Sequence, residues 1–267
     1  MPASDPQRGC AIAVMAKAPR PGQVKTRLVP PLTAHAAASL SASFLGDITR
    51  NITLAAEQAP IHGYVAFAPS GHETLFDGML APGTGLVLAD GTGDMPERVQ
   101  GFGRSLVHAV QALFALGHES VCLLNSDSPT LPTTLLAQAA LALAEAGDRV
   151  VLGPADDGGY YLIGLKAPHW HLFEDIAWST DQVADQTRER ARTLGLELVE
   201  LESWYDVDDR AALQRLLNEF AGASAGPGLM PYHAPATREC VATQRLSDLF
   251  SPDESAETLT GAKLPAY

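Results

Sequence analysis

The sequence predicts an α/β fold built on a mostly parallel β-sheet. Short apolar runs of four to eight residues alternate along the chain with longer amphipathic stretches. The short runs are bounded by Gly, Pro or Asp, as buried strands are, although periodicity alone does not separate them from buried helix. Strands alternating with helices of this length make βαβ units, which require parallel pairing. The strand candidates are 11–16 (AIAVMA), 61–68 (IHGYVAFA), 86–89 (LVLA), 120–124 (SVCLL), 149–153 (RVVLG), 160–165 (YYLIGL) and 196–201 (LELVEL). The helix candidates are 33–58, 95–117, 132–146, 181–194 and 208–220.

The punctuation between these segments agrees with the assignment. Thr33 follows Pro30-Pro31 and is placed to cap the Ala-rich helix behind it. Gly101 and Gly103 each cost a helix about 1 kcal/mol relative to Ala, so the second helix is expected to start later than residue 95. Pro132 suits a first-turn position, where its missing N–H is not needed. Ser179 and Gln182 have capping-box spacing, and for the acids that open the last helix simple N-capping by Asp206 or Asp208 is the plain alternative to a functional role. After Phe220 the pattern changes to a small-residue linker, 221–231 (AGASAGPGLMP), and residues 232–267 hold one weak apolar-periodic stretch near 240–250. The expected organisation is therefore a main domain over 1–220 and an appendage over 221–267, partly disordered or packed on the main domain or on a partner.

Composition narrows the function classes. Of 267 residues, 46% are hydrophobic, enough for a large core, and 31 acidic against 18 basic residues give a formal charge of −13. Such an acidic surface argues against nucleic-acid binding, which needs a basic footprint. Cys10, Cys122 and Cys240 form no C-x-x-C pair and imply neither a disulfide framework nor a zinc site. The apolar stretch 10–16 ends at Lys17, too short for a membrane span or a secretory core. A soluble cytoplasmic protein is expected, with oligomeric state left open.

In an acidic protein the exceptions matter. Lys17, Arg20, Lys25 and Arg27 crowd into the segment 16–28 (AKAPRPGQVKTRL), directly after the first strand. Open α/β sheets bind ligands at the carboxyl ends of their strands, where this loop must lie. Gly22 and the prolines let the backbone fold closely round a ligand, and the cations suit phosphate. The plain alternative is a solvated loop with surface charges. Val24 stands where a Walker A loop needs Gly, and no G-x-G-x-x-G follows the first strand.

Carboxylates recur at the same edge. Asp127, in 125–129 (NSDSP), follows the strand 120–124 and can hold Mg²⁺ or simply make a turn. In 206–209 (DVDD), three carboxylates in four residues repel one another unless a cation or a helix dipole offsets them. The loop 153–161 (GPADDGGYY) joins two strands, and its Asp-Gly-Gly permits close approach of a substrate. Trp178, Ser179 and Thr180 precede a helix whose amides could hold an anion.

Taken together, KAPRPGQVKTRL, NSDSPTL, ADDGGYYLIGL, WST and DVDD resemble one family over about 11–220. It is the bacterial transferases with the glycosyltransferase-A fold of the radical-SAM/selenodomain-associated kind, within the nucleotide-diphospho-sugar transferase superfamily. The KTRL tetrapeptide (25–28) is also similar to a loop of phospholactate guanylyltransferases. The resemblance implies a three-layer, Rossmann-like mixed sheet with a nucleotide site at its carboxyl edge. It implies that Ala16, Lys17, Arg20, Gly22, Lys25 and Arg27 face the nucleotide phosphates and that Asp127 and Asp208 share Mg²⁺ or Mn²⁺. It further implies that Asp157, Gly158, Gly159, Tyr160, Trp178, Ser179 and Thr180 shape the acceptor side. Ser128 stands where the family usually has Cys, and Asn125 where glycosyltransferases often place the first acid of a D-x-D pair.

The leading expectation is nucleotidyl transfer from a nucleoside triphosphate to a small phosphate- or carboxylate-bearing acceptor, with Lys25, Arg27 and Asp127 catalytic. The first alternative is glycosyl transfer from a nucleotide sugar, with Asp157 as base. A non-catalytic nucleotide-binding module and metal-dependent hydrolysis through His169 and His171 are further alternatives.

Overall fold

The structure, a computed structural model, describes residues 9–222 and 228–250. The apolar runs form β1 (Cys10–Lys17), β2 (Ile61–Ala68), β3 (Gly85–Leu88), β4 (Ser120–Leu124), β5 (Arg149–Pro154), β6 (Tyr160–Leu165) and β7 (Glu197–Glu200). They join in one sheet in the order β3-β2-β1-β4-β6-β5-β7. Every pairing is parallel except those of β6, which runs antiparallel to both β4 and β5. The amphipathic segments form α1 (Ala34–Ala55), α2 (Phe102–Ala115), α3 (Thr133–Ala144), α4 (Val183–Thr193), α5 (Arg210–Phe220) and α6 (Pro235–Thr243).

The pleat of β1 shows how the layers assemble. Cys10, Ile12 and Val14 point into a core shared with α1, α3, α5 and α6. Ala11 and Ala13 point the other way, into a core shared with α2 and α4. The result is a three-layer α/β fold with a mixed, mostly parallel sheet. Side chains such as Ile12, Leu40 and Phe44 are fully buried, each contributing roughly 1.5–3 kcal/mol of transfer free energy.

Helix starts follow local chemistry. Thr33 caps α1, its side chain accepting from the Ala36 N–H at 3.1 Å. The second helix begins at Phe102, with Gly101 at φ 55° before it. Pro132 sits one residue before α3. Two capping readings are corrected. Ser179 takes φ 64° and α4 starts only at Val183, so no capping box forms. Asp209, not Asp206 or Asp208, caps α5 by accepting from the Ala212 N–H at 2.8 Å.

Of the expected appendage, residues 223–227 and 251–267 lie outside the described residues. Residues 228–250 pack on α1 through Asp47, a fully buried carboxylate. It accepts the N–H groups of Ala236 and Thr237 at the start of α6, at 3.0 and 2.6 Å. Asp47 thereby supplies, from another helix, the negative charge that an N-terminus attracts. Among the described residues no helix is long and apolar enough to cross a membrane.

Candidate active site

Strand order reverses at β1: β2 and β3 lie on one side of it, β4 on the other. Loops leaving the carboxyl ends of β1 and β4 diverge there and leave a crevice. The loop after β1 supplies Lys25, which adopts a left-handed conformation (φ 49°, ψ 37°) just before a turn of 3₁₀ helix, Thr26–Leu28. A non-glycine residue held there stores roughly 1–3 kcal/mol of backbone strain. Leu28, fully buried, anchors the turn, and the Lys25 side chain is only 5% exposed.

Asp127 arrives on the loop after β4. Asn125 makes the turn: its Oδ1 accepts the Asp127 N–H at 3.4 Å and its Nδ2 donates to Ser128 Oγ at 3.2 Å. The Asp127 carboxylate is left to face the loop from β1. Asp208 has farther to come, because β7 lies at the far edge of the sheet. The segment after β7 returns along the carboxyl edge by backbone bonds: Trp204 N–H to Pro154 O, Asp156 N–H to Trp204 O, and Val207 N–H to Asp127 O at 2.8 Å. Tyr205 fixes this return, its hydroxyl donating to Glu219 Oε2 at 2.8 Å while Arg215 stacks 3.9 Å from its ring centroid.

The three segments meet at one atom. Lys25 Nζ lies 2.6 Å from Asp127 Oδ1 and 3.0 Å from Asp208 Oδ1, and donates to Val207 O at 2.8 Å. Burial alone would push the Lys25 ammonium down, but Asp127 and Asp208 together outweigh it and hold its pKa above the ordinary value. Burial, with Asp208 adding to it against Lys25, raises the Asp127 carboxyl. Burial also acts on Asp208, yet there Lys25 prevails and the pKa is lowered. Asp206, which sequence reading did not assign to the site, is pushed up to about 7 by burial, then by Asp157 and Asp208. The crowding of acids in DVDD was its only signal.

Beside this cluster opens a cavity of about 390 Å³. Ala16, Lys17, Lys25, Arg27, Asp127 and Asp208 line it. Arg20 and Gly22 are exposed in the same loop but are not part of its wall. Its small-residue lining (Ala66, Ala68, Ala89) and Ser41, Ser105 and Phe102 carry little chemical signature and were not anticipated. Only a position at a strand's carboxyl end could have flagged Ala68 and Ala89.

The expected acceptor segments stand apart from this cavity, and none of their seven residues lines it. Gly158 has φ 89°, and a Cβ there would come 2.2 Å from Asp181 O, so this glycine serves the packing of two loops. Asp157 accepts the Gly159 N–H at 2.9 Å in a local turn. Tyr160 is half-buried, its hydroxyl enclosed without a hydrogen-bond partner. Trp178 lies against Gly101 and Gly103, where a Cβ would press on the indole, and meets Phe102 edge-to-face at 5.7 Å. Ser179 and Thr180 are exposed, and Thr180 Oγ1 donates to Ala177 O at 2.7 Å. Two links join this region to the cavity: Phe102, which borders both, and the field between Asp157 and Asp206.

His169 and His171 do not form a metal pair. His169 bonds to Asp148 and His171 to Glu174, at 2.8 and 2.9 Å. Asp127 and Asp208 do converge well enough to share a cation, since one oxygen of each lies within 3.0 Å of a common point. No third His, Cys, Asp or Glu joins them among the described residues. Two carboxylates suit a hard divalent ion that takes its remaining ligands from water and phosphate oxygens. The point between them is held by the Lys25 ammonium.

A family model described as "Uncharacterized protein conserved in bacteria (DUF2064)" matches residues 52–180. That span holds Asp127 and the 157–160 and 178–180 segments, but neither the basic loop nor Asp208. No curated protein matches the chain. Among solved structures the chain is similar to a "putative nucleotide-diphospho-sugar transferase" from Desulfovibrio desulfuricans G20, with a TM-score of 0.72, 26% identity, and 91% of this chain and 99% of that one covered. It shares its fold with CMP:2-keto-3-deoxy-manno-octonic acid synthetase complexed with CTP, at a TM-score of 0.50, 10% identity, and 81% and 100% coverage. The same holds for a cytidylyltransferase from Leptospira borgpetersenii serovar Hardjo-bovis (strain JB197), at a TM-score of 0.50, 10% identity, and 90% and 95% coverage. By its sheet order and these likenesses, the chain has the fold of the nucleotide-diphospho-sugar transferases.

Proposed function

We propose that the protein is a transferase acting on an activated nucleotide, and specifically a nucleotidyltransferase. An acceptor phosphate or carboxylate oxygen attacks the α-phosphorus of a nucleoside triphosphate; the new P–O bond forms as the bond to the β-phosphate breaks, and pyrophosphate leaves. The observation that carries this reading is the meeting of Lys25, Asp127 and Asp208 under a loop whose other cations are unspent. Among the described residues, Lys17, Arg20 and Arg27 make no hydrogen bond, ion pair or ring contact. The remaining described Arg and Lys side chains each have a carboxylate, carbonyl or ring partner. Loose cations beside a cavity in an acidic protein favour a polyanionic ligand.

Transfer of this kind needs positioning and charge neutralisation more than a covalent nucleophile. Lys17, Arg20 and Arg27 bind the outer phosphates and offset charge building on the departing pyrophosphate. Asp127 and Asp208 hold Mg²⁺ or Mn²⁺, which when bound polarises a phosphate oxygen. The small-residue lining leaves room for the nucleoside, and the acceptor enters from the side of Asp157, Tyr160 and Trp178. The three cysteines are free and buried, which fits the expected cytoplasmic location.

Glycosyl transfer from a nucleotide sugar is the second reading, favoured by the name of the Desulfovibrio relative. A thermal-shift screen of triphosphates and nucleotide sugars with Mg²⁺ separates the donors, because a ligand at a hundred times its Kd adds about 2.7 kcal/mol. Release of pyrophosphate on acceptor addition is the expected result. Turnover of nucleotide sugars alone would overturn nucleotidyl transfer, and binding of neither class would overturn both readings.

A further inference from the structure

We propose that Lys25 is a resident counter-ion that competes with the divalent cation for Asp127 and Asp208 and yields them only when a bound polyphosphate gives its ammonium another place. The inference rests on the reading that this site takes a nucleotide with a metal ion. It concerns the order in which the site loads.

Donor counting carries the argument. A lysine ammonium has three N–H donors and no acceptor. Here two are given to Val207 O and Asp208 Oδ1, at 2.8 and 3.0 Å, and the charge is paired with Asp127 Oδ1 at 2.6 Å. The ammonium is thus committed to two carboxylates and a carbonyl, although the sequence reads Lys25 as a phosphate ligand. The side chain is 5% exposed, so solvent does not substitute for any of these bonds. The three contacts do the work of a small bound cation.

A metal ion and this ammonium cannot both take the space between the two carboxylates. Magnesium needs oxygens at roughly 2.0–2.1 Å, inside the distances the ammonium now keeps. A cation entering the free protein must therefore strip Lys25 of both carboxylates and leave a nearly buried ammonium next to a dication. Uncompensated buried charge of that kind is strongly unfavourable. A polyphosphate changes the balance. Lys25 borders the same cavity as Lys17 and Arg27, and its flexible four-carbon stem lets the ammonium swing without moving the backbone. Leu28, fully buried, keeps the turn in place meanwhile. The ammonium passes to phosphate oxygens as the carboxylates pass to the metal. Nucleotide and metal thus bind with positive coupling, and each raises the affinity of the other by the same factor.

The test measures Mn²⁺ binding by electron paramagnetic resonance, without nucleotide and without turnover. Lys25→Met keeps length and removes charge; it should bind Mn²⁺ about tenfold more tightly than wild type, within the usual range of coupled sites. Arg27→Met removes a loop cation that touches neither carboxylate and should change the affinity far less. Equal affinity of Lys25→Met and wild type would overturn the proposal, as would equal gains in the two variants. A second readout avoids substitution. The ¹⁵N signal of the Lys25 ammonium in wild type should persist with Mg²⁺ alone and shift when Mg²⁺ and a non-hydrolysable triphosphate analogue are added together. A signal displaced by Mg²⁺ alone, or unmoved by the pair despite measured binding, would overturn it. If no nucleotide binds at all, the proposed function fails, while the Mn²⁺ comparison still decides whether Lys25 and metal compete.

Discussion

The two ends of the sheet handle buried polarity in opposite ways. At the amino edge, charged and polar side chains find partners close by, although Arg149 Nε and His118 Nδ1 are buried without a hydrogen bond. Arg149, at the start of β5, donates to the carbonyls of Ala142, in the last turn of α3, and Ala146, just past it, and pairs with Glu145 and Glu197. His118 takes up the Tyr64 hydroxyl at 2.8 Å. At the carboxyl edge, a strained Lys25 holds two aspartates, a third carboxyl is pushed up to about 7, and Lys17, Arg20 and Arg27 make no hydrogen bond or ion pair among the described residues. The first arrangement stabilises; the second holds charge ready for something else. A site that needs an incoming polyanion has to leave charge unspent, and the rest of the fold carries the cost.

If that contrast is right, substitutions at the carboxyl edge should remove activity and those at the amino edge stability. The largest effect is expected for Asp127→Asn. It should lower kcat/KM for pyrophosphate release by roughly 10²–10³, the size of losing one preorganised electrostatic group. Its urea midpoint should stay close to wild type, since Lys25 keeps Asp208 and Val207 O. A variant that unfolds with its activity per folded molecule intact would break the comparison. The amino-edge counterpart is Gly9→Ala. Gly9 opens β1 at φ 129°, and a Cβ there would lie 2.6 Å from Pro60 O. Strain at such a position is worth about 2–3 kcal/mol, to be read from urea denaturation, with kcat/KM of the folded fraction unchanged.

A finer cut runs within DVDD. Asp209→Ala should cost about 1 kcal/mol of stability, the usual worth of an N-cap, and little activity. Asp208→Asn should do the reverse. If both lose activity alike, the division of labour within these four residues is wrong.

This division also shows where sequence reading stops. The strands were legible because uninterrupted apolar runs have few alternatives once Gly, Pro and Asp bound them. β2, β4 and β6 begin and end at the expected residues. Strand order and the reversed direction of β6 were not legible from periodicity, which is the same for either direction; the family resemblance supplied the mixed sheet. DVDD announced an acidic helix start, but a one-residue shift decides which acid caps and which two turn to the site. Ser179 failed as a cap because spacing cannot reveal that its backbone is left-handed. The loop 16–28 displayed its charges, whereas the direction in which Lys25 points is set by carboxylates about a hundred and about two hundred residues away in the chain. Separation of that kind is settled only by tertiary contact.

The smallest expected effect tests the amino edge by pH. His118 is 4% exposed, and its ring lies 5.3 Å from that of His62. Burial, and then His62, holds its pKa below the ordinary 6.5. A histidine lowered in the native state binds fewer protons folded than unfolded, so unfolding takes up a proton. Its contribution is complete above the unfolded value and is lost as the pH falls from about 6.5 towards the folded one. Asp206 acts in the opposite sense: raised to about 7, it favours the native state less as pH climbs from its unfolded value near 3.8. The wild-type curve alone therefore mixes the two edges. Comparing His118→Gln with wild type isolates one. The variant loses packing at every pH but has no imidazole to protonate, so the gap in urea midpoints should narrow between about pH 7 and about pH 5. A gap that widens on acidification would mean that His118 gains a proton more easily in the folded protein, and the amino edge would then be no quieter electrostatically than the site opposite.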